Sequence, residues 1–376
     1  MIEELLIKLG VAGAILFGVL NFAGLQTWLE RKQSALMQDR IGANRAYFTV
    51  PWWLGGTPVN WVLRKLGGLG ILNALADVLK LMTKEDLVPE QADTFLHTLA
   101  PLLSVFFAIM AFCAIPVGPA IHWGARVIPL QVANVNAGLL FVLALASVGI
   151  YGVILAGMVS GNNFSTLGGL RASSQAIAYE IALGVSLVGV VLCYGTLDLN
   201  IMIERQGGGL LGGWLPAWGV VLQPLGCLVF VTAALAHTKR VPFDLPEAES
   251  EIIGYFTEYS GMKFGLFFLT DFVEVVLVAA MTTTLFFGGW QMPYLTPEGF
   301  VFPWGGGLPV SHLWYVVLGI TSFAVKVAAF IWFFMLIRWT LPRFRYDQLM
   351  HLGWKILFPL SLFNIFVTGI WVVAAK

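Results

Sequence analysis

Charge is scarce in this sequence: only 11% of its 376 residues are Asp, Glu, Lys or Arg. Soluble globular domains carry about 25%, so the shortage excludes an ordinary water-soluble fold. Neither sign dominates, with 21 basic and 21 acidic residues. The basic surface that a nucleic-acid partner needs is therefore missing. Cysteine is nearly absent too. Cys113, Cys193 and Cys227 each stand inside an apolar run, with no CxxC pair and no histidine cluster beside them. They read as small buried hydrophobes, and no zinc or iron–sulfur site is expected in the chain. No G-x-G-x-x-G follows a strand, there is no Walker loop, and the Gly67–Gly70 stretch lacks the strand that would make it a phosphate cradle. Nucleotide binding by this chain is not expected.

What is abundant is apolar surface: 58% of residues are hydrophobic, among them 28 Phe and 14 Trp. Runs of the roughly 20 residues needed to cross a bilayer occur near 5–29, 95–116, 135–158, 175–194, 219–237, 264–289, 312–337 and 352–374. The pattern predicts an all-α, polytopic membrane protein with eight transmembrane helices, forming a single membrane domain over 1–376. The first run is too long for a cleaved signal and no A-x-A site ends it. Lys and Arg number 15 in the odd connections (31–94, 159–174, 238–263, 338–351) and four at the termini and in the even ones. By the positive-inside rule both termini face away from the cytoplasm. Within the first connection, residues 69–84 place Ile71, Leu72, Leu75, Val78, Leu79 and Met82 on one helical face. Asp77, Lys80 and Lys84 interrupt the run, which predicts an amphipathic helix lying in the interface. Residues 47–66, rich in Trp, Pro and Gly, read as an irregular loop.

Ionisable groups are expensive at membrane depth and are functional candidates by default. The densest cluster is KRVPFDLPEAESEIIGYFTEYSGMK at 239–263, with Asp244, Glu247, Glu249, Glu251 and Glu258. On a helix, Glu247, Glu251 and Glu258 share one face and Glu249 points away. Crowded carboxylates raise one another's pKa, which suits proton relay; a solvated acidic face is the alternative. Glu180 lies deep in the fourth run, where Arg171 reaches it only if the intervening loop folds back. His237 ends the fifth run as a proton carrier or an ordinary interface residue. Lys326 is deep in the seventh, and pairing with Asp271 or Glu274 in the sixth is open to it. The last connection, from Arg338, sets three arginines among aromatics, which can clamp a polar headgroup or snorkel to lipid phosphate.

Six segments in this order carry a resemblance: LERKxxxxxQDRIGANR at 29–45, ALADVLKLMTKEDLVP at 74–89, LGGLRASSQAIAYEI at 167–181, KRVPFDLPEAESE at 239–251, TEYSGMKFGLFF at 257–268 and PRFRYDQLMHLGWK at 342–355. They resemble the H-type membrane subunits of complex I, the NADH:quinone oxidoreductase, a family that includes the mitochondrial NADH dehydrogenase subunit one. The resemblance implies a subunit without redox cofactors and with quinone as substrate. FMN and iron–sulfur clusters would sit in partner chains, two peripheral quinone-site subunits and neighbouring membrane subunits, in a prokaryotic inner membrane. It further implies that Arg31, Arg40, Arg240 and Arg338 lie at the quinone entrance and chamber. Glu180, Asp244, Glu247, Glu249, Glu251 and Glu258 would couple quinone chemistry to proton pumping. The membrane anchor of an energy-converting hydrogenase shares the acidic loop and is the alternative. The chain departs from the family pattern at Gly42-Ala43-Asn44-Arg45, in an extra loop over Tyr47–Gly67, at Asn73-Ala74, and in a slightly shorter acidic loop before Glu258. His237 also stands where the family commonly has glutamate.

Overall fold

In a computed structural model, residues 2–374 are described apart from 47–48, 52–55, 125, 211–213, 247–253 and 302–305. The elements run α1 (Ile2–Met37), α2 (Gly56–Leu69), α3 (Leu72–Thr83), α4 (Thr94–Met110), β1 (Gly118–Trp123), β2 (Arg126–Leu130), α5 (Gly138–Val159), α6 (Asn163–Tyr194) and α7 (Leu199–Gln206). They continue with β3 (Gly209–Leu210), β4 (Leu215–Pro216), α8 (Gly219–Leu222), α9 (Pro224–His237), α10 (Gly261–Phe286), β5 (Leu295–Thr296), β6 (Gly299–Val301), β7 (Gly307–Pro309), α11 (His312–Thr340), α12 (Tyr346–His351) and α13 (Phe358–Ala374). The fold is all-α and polytopic: the strands make only short antiparallel ribbons in the connections.

Among the described residues, seven helical stretches are long and apolar enough to cross a membrane. The expected fifth span, 219–237, is divided. Gln223 takes φ −134°, ψ 58°, because the residue before a proline is pushed out of the helical region. Pro224 then starts α9, which is only 14 residues long. The fourth span corrects the sequence reading the other way. Helix α6 begins at Asn163, where the Asn162 side chain accepts from the Phe164 N–H, so Arg171 and Glu180 lie on one unbroken helix with no loop between them. The expected loop at 47–66 is also partly helical, since α2 covers Gly56–Leu69. The amphipathic helix 69–84 is present as α3, none of whose residues is buried within the chain. Helices α2 and α3 meet at 91°. Gly70 makes that corner with φ +83°, and a Cβ there would collide with the Ala43 carbonyl.

Helix α10 is the centre of the bundle, with nearly every residue from Thr270 to Phe286 buried. Helices α4, α5 and α6 pack side by side through small residues, as membrane helices do. Gly152 on α5 lies against Ser104 and Ala100 of α4, and Gly157 against Gly169 of α6.

Candidate functional site

The acidic connection is moored before it begins. The Gln175 side chain on α6 donates to the carbonyls of Ala236 (2.7 Å) and Phe243 (2.8 Å). From the other side, the connection after α11 packs onto it. Phe344 stacks on Phe243 with ring centres 5.5 Å apart, and Arg343 donates to the Asp244 carbonyl. The segments Pro242–Asp244 and Arg343–Phe344, a hundred residues apart in sequence, are therefore one structural unit.

At this junction Glu30 of α1 accepts from two arginines, Arg240 at 3.3 Å and Arg338 at 2.9 Å. Arg240 also lies flat on Phe272, 4.0 Å from the ring centre, where a desolvated cation gains from the ring quadrupole. Asp244 sits beside them, with its Oδ1 buried and lacking a hydrogen-bond partner among the described residues. Burial pushes the Asp244 carboxyl up to about 6, although Arg343, Arg338 and Arg240 pull it down. One turn into the bundle, Lys239 is 2% exposed and faces Glu274 at 3.6 Å and Asp271 at 3.9 Å of α10. A buried cation flanked by two carboxylates relieves part of the charge cost that each ion alone would impose.

Half-buried Glu180 of α6 accepts from the Ser147 hydroxyl of α5. Glu180 and His237 line one narrow cavity, walled otherwise by apolar side chains such as Leu183, Phe230 and Met281, with room for a few water molecules. Both residues singled out on separate spans are thus brought together.

Arg31 and Arg40 line a different feature, a wide concavity opening beside Glu30, Asn73 and Trp339. Arg31 is anchored to Asp77 of α3, which fixes the amphipathic helix against α1. Glu258 is set apart from Asp244. Its Oε1 accepts from Asn162 (2.8 Å) in a polar surface pocket with Glu90 and Gln91, and its carbonyl lies 3.4 Å from the His97 ring. Glu247, Glu249 and Glu251 lie outside the described residues.

Lys326 pairs with neither acid of α10. It donates to the carbonyls of Phe287 (2.7 Å), Gly289 (3.0 Å) and Gln291 (2.5 Å), under the face of Trp218. Lys239 has taken its place beside Asp271 and Glu274. Sequence reasoning passed over Glu30, Lys239 and Arg343 as members of the site. The first two sat in view within LERK and KRVPFD, but nothing in a sequence gives the pairing.

The comparisons with known proteins bear on this arrangement. The NADH dehydrogenase family profile matches residues 9–369. The chain belongs to that family. An H-type NADH-quinone oxidoreductase subunit from Geobacter metallireducens is 41% identical over 99% of this chain and 98% of its own length. Its counterpart from Geobacter sulfurreducens is 42% identical over 96% and 94%, and that from Thermomicrobium roseum 40% over 98% and 96%. Coverage is near-complete on both sides.

Proposed function

We propose that this chain is the membrane subunit of a proton-translocating NADH:quinone oxidoreductase. It forms the membrane side of the quinone chamber and passes on the energy of quinone reduction as displaced protons and charge. It holds no redox centre of its own; FMN and iron–sulfur clusters belong to partner subunits, and quinone is the substrate. The observation that supports this reading best is the order of the buried charges. They run from Glu30 with its two arginines, through Asp244, to Lys239 with Asp271 and Glu274, and then to Glu180 with His237.

Quinone reduction consumes protons at the chamber. A carboxyl such as Asp244, poised near 6, gives up or takes up a proton within the physiological range, and its change of charge shifts the balance of its neighbours. The Lys239 triad feels that change directly, because Asp271 and Arg240 both act on Asp244. Glu180 and His237 then continue the path from inside the bundle. His237, standing where a family carboxylate is common, serves as the proton carrier there. The surplus of Lys and Arg in the odd connections supports placing both termini on the non-cytoplasmic side of the prokaryotic inner membrane, with the chamber facing the cytoplasm.

The test is Glu180→Gln in the complex reconstituted into vesicles. Quinone reduction coupled to pumping should fall about tenfold or more, while the subunits still copurify. Undiminished pumping in an assembled variant would rule the relay out.

A further inference from the structure

Helix α2 takes no part in the relay, and its sequence falls in the stretch where the chain departs from its family pattern. Val59, Val62, Leu63, Leu66 and Leu69 fall on one face by the 3.6-residue period. Three of them are well exposed, Val59 by 40%, Val62 by 47% and Leu69 by 54%, so the chain itself does not cover this face. The opposite face carries Trp61, Arg64 and Lys65, with the Lys65 ammonium 4.1 Å from the Trp61 ring centre. Neither cation meets a carboxylate in an ion pair among the described residues. From Arg40 to Ala76 the sequence holds Arg40, Arg45, Arg64 and Lys65 and no Asp or Glu.

The helix is tied to the first span independently. Trp28 of α1, at the end of the first apolar run, donates its indole N–H to the Leu69 carbonyl at 2.7 Å. The C-terminal end of α2 is therefore held against α1, beside apolar side chains of a membrane-spanning helix. The loop before it is pinned as well, by Asn60 bonding both the N–H (2.7 Å) and the carbonyl (2.9 Å) of Val50.

We infer that α2 is a phospholipid-binding element, with its apolar face in the acyl boundary and Arg64 and Lys65 on anionic headgroups. An apolar face left uncovered by the chain beside a membrane-spanning helix meets acyl chains. A cationic pair joined to an interfacial tryptophan matches an anionic leaflet. Because α3 follows α2 through the Gly70 corner and holds Arg31 through Asp77, the bound lipid borders the Arg31–Arg40 concavity. The leaflet assignment rests on the orientation proposed above; the lipid contact does not.

The test places a photoreactive benzoylphenylalanine at Val62 in the full chain, within its complex, in discs of mixed phosphatidylcholine and phosphatidylglycerol. Illumination should yield lipid adducts with phosphatidylglycerol enriched about fivefold or more over its share. The R64Q/K65Q variant should assemble normally and return the adducts to the bulk lipid ratio. Adducts to another protein of the complex, or wild-type adducts already in bulk proportion, would overturn the inference. Because the readout is an adduct, it holds or fails whatever the quinone activity does.

Discussion

At the scale of single residues, the site is a set of charges that cannot be changed one at a time. Removing Lys239 as Lys239→Met leaves Asp271 and Glu274 buried against each other without their cation. The loss should be about 3–5 kcal/mol, read as a lowered unfolding temperature of the detergent-solubilised chain. Adding Asp271→Asn and Glu274→Gln to it should restore most of that loss, since no uncompensated charge then remains. Asp244 gives a pH signature. Its folded pKa, about 6, lies above the ordinary aspartate value because burial disfavours the charged form. Between about pH 4 and 6 the unfolded chain has released this proton and the folded chain has not. Stability contributed by the neutral carboxyl is thus full below pH 4, declines across that window and is gone above it. Thermal unfolding of Asp244→Asn should lack that decline. Glu180, His237 and Asp244 stand out in the sequence as ionisable groups in or beside apolar runs, whereas Arg31, Arg40, Arg240 and Arg338 are marked by the family resemblance. Their pairings were not legible, because a lysine in one span is equally near, in sequence terms, to acids in two others. Lys326 finds backbone carbonyls and Lys239 finds the acids only through the way the helices fold against one another.

At the scale of elements, the spans declared themselves where some twenty residues ran almost wholly apolar, as in α5, and even where two carboxylates interrupted the run, as in α10. Their ends did not. The start of α6, NFSTLGGLRASS, looks like a polar connection, yet its small residues allow backbone approach that a hydropathy pattern cannot register. Gly168 sits against the backbone of Gly254 and Tyr255, and Ser165 donates to the Tyr255 carbonyl at 2.7 Å. The break at Gln223 is legible in Pro224, but only once local backbone preference is weighed against apolar length. Close packing yields its own prediction. Gly152→Leu forces a side chain into the backbone of α4 at Ala100 and Ser104 and should destabilise the α4–α5 pair by about 1–3 kcal/mol. Reduced yield of the intact complex, set against an unaffected Gly184→Leu control that faces open space, checks it.

At the scale of the whole molecule, the chain leaves much of its own surface uncovered. The apolar span window of α1 is only 6% buried within the chain, and the concavity lined by Arg31, Arg40 and Trp339 lies open. Mass spectrometry of the assembly that copurifies with the tagged chain from mild detergent should recover flavin-bearing, iron–sulfur and antiporter-like subunits. A nickel–iron hydrogenase in their place would move the family member to hydrogen metabolism.

The three carbonyls around Lys326 have a mechanical consequence. One side chain of α11 gathers Phe287, Gly289 and Gln291, the backbone that leaves the C-terminal end of α10. It rivets that end of the central helix to α11, away from the connections that hold Arg240 and Arg338. The packing of α10 is thus clamped at one end by a lysine on backbone oxygens and towards the other by the Lys239 ion pairs.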